Sequence, residues 1–148
     1  MDERQRLIDE ARFLIRGTTD YAFKQRMQEG NYYGVRRNGE LVTSATLDLF
    51  SAFFYARYRT KEMNNRGYKT RPLVIVVDAE KYRGRMKPGI EFEKSEEVGG
   101  FMGLEVEIIG PIAFLDIQKL DSARKLNKFV NPSEAELDYF RRKILGEN

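Results

Sequence analysis

The sequence predicts a single α+β domain, and three observations carry that prediction. Leu73-Val74-Ile75-Val76-Val77 is a continuous apolar run, rich in β-branched residues and introduced by Pro72, as expected of a central strand covered on both faces. Upstream of it, helical and extended patterns alternate. Downstream come further strands around Gly110-Pro111 and a last helix, an order that fits α+β. At 148 residues the chain has room for one domain, residues 1–148, able to bury roughly two-thirds of its unfolded surface.

In chain order, Leu7, Ile8 and Ala11 follow a polar start at near-helical spacing, which predicts an amphipathic helix over residues 3–12 leading into extended Phe13-Leu14-Ile15. Arg16-Gly17-Thr18-Thr19 is expected to end that strand. A second helical pattern covers residues 21–28 and stops at Gly30, and residues 32–39 read as loop or short hairpin ending in Asn38-Gly39. Leu41-Val42-Thr43-Ser44 predicts a short strand. Thr46 or Ser44 then caps an apolar helix through Ala56, with Leu47, Leu49, Phe50, Phe53 and Phe54 buried on most of its faces.

A basic loop is expected before the central run. Gly84, Pro88 and Gly89 mark residues 79–91 as turn and loop, and Val98-Gly99-Gly100 predicts mobility. Glu105–Ile109 and residues 112–117 predict two strands split by a tight turn at Gly110-Pro111. Ser133-Glu134-Ala135-Glu136 is a capping box opening a final amphipathic helix through Leu145.

The chain contains no Cys and no His, which removes disulfides, thiolate nucleophiles, imidazole bases and most zinc or haem sites. Chemistry must then rest on carboxylates, hydroxyls, Arg, Lys or a borrowed cofactor. The opening residues are charged in both signs and no run approaches the ~20 apolar residues of a membrane span, so a cytoplasmic protein is expected. Net charge is only +3, but it is unevenly spread. Residues 57–71 hold Arg57, Arg59, Lys61, Arg66, Lys69 and Arg71 against Glu62 alone, while residues 91–107 hold six Glu against Lys94. The two blocks can attract each other or be solvated loops.

Three segments offer polar groups at predicted strand ends, where sites collect. In Ile15-Arg16-Gly17-Thr18-Thr19, the guanidinium suits a phosphate in two-pronged geometry and Gly17 would let a ligand approach the backbone. Alone, this segment reads first as an Arg paired with a structural carboxylate. In Val42-Thr43-Ser44-Ala45-Thr46, the hydroxyls either cap the following helix or also orient a carboxylate or ribose from a neighbouring strand. In Gly103-Leu104-Glu105-Val106-Glu107, two carboxylates two apart point to one face. Such a carboxylate can stabilise an oxocarbenium-like centre, or it is simply a solvated edge.

Taken in order, the Arg-Gly-Thr of residues 16–18, the Thr43-Ser44 strand end before Phe50-Ser51-Ala52-Phe53-Phe54-Tyr55-Ala56-Arg57, and the Glu105-Val106-Glu107 strand entry resemble the ADP-ribosyltransferase family, in its Arg, Ser, Glu branch. The resemblance covers roughly residues 13–117. It implies two packed, mostly antiparallel sheets forming a cleft for NAD, with flanking helices. It also implies that Arg16, with Gly17 and Thr18, holds the NAD phosphate or ribose, and that Thr43 and Ser44 stand in the hydroxyl motif. Glu107 would be the catalytic carboxylate at the nicotinamide ribose, and Glu105 the base toward an acceptor, preferably a protein arginine. Residues 95–103 would occupy the place of the substrate-recognition loop. Two features depart from the pattern: the hydroxyl motif reads Thr43-Ser44-Ala45 rather than Ser-Thr-Ser, and the compact spacing from Arg16 to Ser44 is as similar to the branch using His in place of Arg, which the lack of His excludes.

Two other functions remain open from sequence. With water as acceptor the same site is an NAD glycohydrolase. A non-enzymatic nucleic-acid or partner-binding module would instead use the 57–71 basic block, with Tyr58 and Tyr68 stacking on bases.

Overall fold

The computed structural model describes residues 3–89 and 104–147 of the chain. The segment expected to be a substrate-recognition loop, with most of the acidic block, lies outside them. The described residues form two antiparallel sheets and several helices.

The larger sheet is built on β1 (Phe13–Thr19), β5 (Glu40–Thr46), β6 (Pro72–Asp78) and β8 (Glu105–Ile109), with β10 (Ile117–Lys119) at one edge and β7 (Met86–Pro88) at the other. β4 (Val35–Arg37) adds to β5 through a hairpin whose corner is Asn38-Gly39, both at positive φ (52° and 82°) as a tight two-residue turn requires. The smaller sheet joins β2 (Met27–Gln28), β3 (Asn31–Tyr32) and β9 (Ile112–Ala113). Helices α1 (Glu3–Glu10), α2 (Asp20–Arg26), α3 (Leu49–Asn65), α4 (Ala123–Phe129) and α5 (Glu134–Tyr139) complete it, α5 running into a π-turn at Phe140–Ile144.

Period-two alternation sorts the strand side chains into two cores. On one face, Leu14, Leu73, Ile75, Val77, Ala45, Val106 and Ile108 meet Ile8 of α1, Phe23 of α2 and Tyr32 and Ile112 of the smaller sheet. On the other, Ile15, Val74 and Val76 lie beneath Ala52, Phe53 and Ala56 of α3, closed by Leu126, Phe140 and Ile144. Phe53 stacks on Tyr139 and touches Phe140, so the capping box at Ser133 and Glu136 sets α5 against α3. Each fully buried Ile, Val, Leu or Phe contributes roughly 1.5–3 kcal/mol of apolar transfer, which is why β6, buried on both faces, lies inside the sheet between β10 and β1.

Several expectations are corrected. Arg16 and Gly17 lie in the middle of β1 rather than at its end. The cap of α3 is neither Thr46 nor Ser44 but Asp48, whose Oδ2 accepts from the Ser51 amide at 2.9 Å and from the Ser51 hydroxyl at 2.6 Å; Thr46 Oγ1 instead accepts from the Asp48 amide. α3 continues to Asn65, so Arg57, Arg59 and Lys61 are helical and only residues 66–71 form a loop. Residues 79–91, expected to be turn and loop, contain a short 3-10 helix at Ala79–Tyr82 and the strand β7. Only two residues of the strand expected over 112–117 pair as β9 before a 3-10 turn at Phe114–Asp116. α4, capped by Ser122, follows no pattern noted in the sequence.

Candidate functional site

The site is organised by an opening between β1 and β5. β1 is in register with β6 over seven pairs, from Phe13↔Asp78 to Thr19↔Pro72, but with β5 at Ile15↔Thr46 alone. β8 occupies one edge of β5 from residue 42 to 46. The opposite edge is therefore shared, with β1 at Thr46 and β4 at residues 40–42. Between these two contacts the edge of β5 at residues 43–45 faces β1 without a ladder.

Arg16 fills that seam. Its side chain leaves β1 on the face of the Leu14 core, where Nε donates to the Tyr32 hydroxyl at 3.2 Å, while Nη1 donates to the Ser44 carbonyl at 2.6 Å. Strand carbonyls lie in the sheet plane, so the guanidinium sits in the opening itself. Burial works against its charge, but the Tyr32 and Tyr55 phenols and the Glu105 carboxylate more than offset this and hold its pKa above the ordinary arginine value. Arg16 is thus charged at neutral pH. It spans two partners on different strands, the Tyr32 hydroxyl and the Ser44 carbonyl.

Gly17 serves packing rather than ligand approach. A Cβ there would lie 1.9 Å from the Ala52 carbonyl oxygen and 2.8 Å from the Ala56 nitrogen, so α3 crosses β1 in direct backbone contact. The small residues Ala52 and Ala56, one turn apart, make the crossing face. Thr18 is buried in register with Leu73. Thr19 caps α2, accepting from the Ala22 amide.

The strand parity divides the hydroxyl motif. Thr43 shares the face of Ala45, buried, and its Oγ1 has no hydrogen-bond partner among the described residues. Ser44 and Thr46 point to the other face, Ser44 directly opposite Glu107 and Thr46 directly opposite Glu105. Both carboxylates are nearly out of solvent, at 5% exposure for Glu105 and 7% for Glu107. Glu107 Oε2 is 3.3 Å from Arg37 Nη1, and Lys87 stands across from it on β7. Glu105 packs on the backbone of Gly89, where any Cβ would meet its Oε1 at 2.2 Å.

The structure therefore brings Ser44, Glu105 and Glu107 together on one face and places Thr18 and Thr43 on the other, with the Arg16 guanidinium in the seam between. Arg37, Tyr32 and Tyr55 belong to this arrangement and were missed in the sequence. Arg37 carried a faint signal, as the residue leading into the Asn38-Gly39 turn; the tyrosines carried none. The cavity in the seam, bounded by Arg16, Gly17, Thr46, Ala52 and Tyr55 among others, measures about 10 Å³ and admits no nucleotide. Comparison of the chain with protein-family models, curated proteins and solved structures gives no significant match. Among the described residues, no helix is long and apolar enough to cross a membrane.

Proposed function

We propose that the chain is an NAD-dependent mono-ADP-ribosyltransferase, moving ADP-ribose from NAD to a protein side chain, arginine by preference, with release of nicotinamide. One observation carries the reading: the cross-strand register sets Ser44 against Glu107 and Thr46 against Glu105, two hydroxyls facing two carboxylates on one sheet face, beside a seam that holds a charged arginine. The seam is too narrow for the dinucleotide, which would lie over the face of β5 and β8 instead.

In this reading the bond between the nicotinamide nitrogen and C1′ of its ribose breaks, the electron pair leaving with nicotinamide. Glu107 faces the positive charge that develops at C1′, held in place by Arg37. Glu105 takes the proton from the acceptor as the new bond to C1′ forms. Arg16, whose Nε and Nη1 are engaged by Tyr32 and Ser44, contributes its positive charge toward the NAD phosphate from the seam rather than a two-pronged contact. The same reading has the protein acting in the cytoplasm, as its charged opening residues lead one to expect.

The test is nicotinamide release from NAD by the purified protein, with and without an arginine-rich acceptor mixture. Glu107→Gln is expected to reduce release by roughly 100-fold or more, the scale on which one preorganised charge contributes. Glu105→Gln should reduce transfer to the acceptor more than hydrolysis. Release indifferent to acceptor would make the protein a glycohydrolase, and no release together with no calorimetric binding of NAD would end the proposal.

A further inference from the structure

A groove of about 650 Å³ opens beyond the C-terminal end of α3, between α2 and the loop that leads to β6. Tyr21 and Tyr68 form its aromatic part, their ring centroids 4.8 Å apart and tilted by 48°, with 38% and 42% of each residue still exposed. Lys24, Lys69 and Arg71 line it as well.

The groove is braced from beneath. Asn64 Oδ1 accepts from the Thr70 amide at 3.0 Å, the Tyr21 amide donates to Thr70 Oγ1 at 3.1 Å, and the Asp20 amide donates to the Arg71 carbonyl at 3.0 Å. These bonds tie the loop to both helices, so the tyrosines and cations are presented on a fixed frame. The charge continues outside: Lys61 and Arg57 precede Asn64 by three and seven residues, on one face of α3 by helical spacing, and both are exposed. That stripe runs roughly 10 Å along the helix, at 1.5 Å per residue.

We propose that this groove binds single-stranded nucleic acid, with bases against the Tyr21–Tyr68 pair and successive phosphates on Lys24, Lys69, Arg71 and the Lys61–Arg57 stripe. Exposed aromatic faces interleaved with cations are what a single strand needs, whereas a duplex hides its base faces. A row of cations longer than one nucleotide fits a polymer rather than a mononucleotide. Asp20, also at the rim, is placed to accept hydrogen bonds from base N–H groups. The site shares no residue with the seam and does not depend on NAD chemistry.

The experiment is fluorescence anisotropy of a labelled single-stranded DNA of about 12 nucleotides, within the range single-strand sites cover, titrated across salt without NAD. Tyr68→Ala and Tyr21→Ala are each expected to weaken binding roughly 5- to 150-fold, while Tyr68→Phe retains it. Lys69→Ala should lower the slope of log K against log salt by about 0.7. Thermal melts establish that each variant is folded. The proposal is overturned if folded Tyr68→Ala binds as tightly as Tyr68→Phe, if no binding occurs at low salt, or if duplex DNA or polyglutamate displaces the probe as well as unlabelled single strand does. None of these outcomes bears on the transferase reading, because the assay contains no NAD.

Discussion

The two edges of β1 behave differently although they belong to the same seven residues. Toward β6 the strand is in register along its whole length, sealed by Leu14, Ile75 and Val77 below and Ile15, Val74 and Val76 above. Toward β5 it is in register once, and a side chain replaces the ladder, Arg16 reaching the Ser44 carbonyl where a backbone amide would otherwise do so. The first edge is held by apolar area, which is non-directional and tolerant of exchange. The second is held by the single Ile15–Thr46 pairing, one directed hydrogen bond from Arg16 to the Ser44 carbonyl, and a helix that permits no side chain at Gly17.

That contrast is broken most severely at Gly17. Gly17→Ala pushes a methyl into the Ala52 carbonyl, so α3 must lift off β1; the expected loss is about 3 kcal/mol, read from the urea midpoint. An unchanged midpoint would mean that the helix shifts freely and that the seam is not held from above.

Arg16→Met tests the clasp itself. It leaves the wholly buried Tyr32 hydroxyl and the Ser44 carbonyl without their donor, for an expected loss of about 2 kcal/mol. In a Tyr32→Phe background the same substitution should be milder by about 1 kcal/mol, because one of the orphaned groups is gone. A double-mutant cycle with no coupling would remove Tyr32 from the clasp.

The smallest effect belongs to the end of the β6 side, where Tyr82 donates to Asp116 at 2.6 Å and accepts from the Ala113 amide. Burial alone would raise the Asp116 pKa, but the Tyr82 phenol and the Lys81 ammonium donate to it and hold it below the usual carboxylate range. Burial, then the bond to Asp116, pushes the Tyr82 phenol up from its usual value. A depressed carboxylate stabilises above its unfolded pKa and loses that contribution as pH falls through the folded one. A raised phenol stabilises below its unfolded pKa and loses it as pH rises through the folded one. Tyr82→Phe is therefore expected to reduce stability by about 1 kcal/mol at neutral pH, the difference from wild type shrinking in both acid and strong base. Urea unfolding at three pH values checks it; a difference that is flat across pH would show that the bond contributes nothing.

Much of the fold was legible where the signal is local. The β6 run, the Asn38-Gly39 corner and the Ser133 capping box each announce themselves within a few residues. β7 did not, because three residues beside glycines pair only when β8 offers an edge. Asp48 was passed over as a cap although Asp with a Ser three residues on is an ordinary helix start. Within the candidate site, period two already puts Glu105 and Glu107 on one face. That Ser44, not Thr43, stands opposite Glu107 needs the β5–β8 register, which no single strand contains.

The sequence by itself determined the β6 run, α1, α2, the first half of α3 and the helix opened at Ser133, because apolar periodicity and turn residues act over distances shorter than an element; it did not reveal α4 or the second half of α3. It also determined that any chemistry here runs without thiols or imidazoles. The tertiary structure alone decided that Arg16 serves as a clasp between strands, that Gly17 belongs to a helix crossing, and that the 57–71 basic block is mostly helix ending beside an aromatic groove. Those facts depend on partners distant in the chain, such as Tyr32, Ser44 and Ala52, and a sequence pattern records the faces of an element but not what those faces meet.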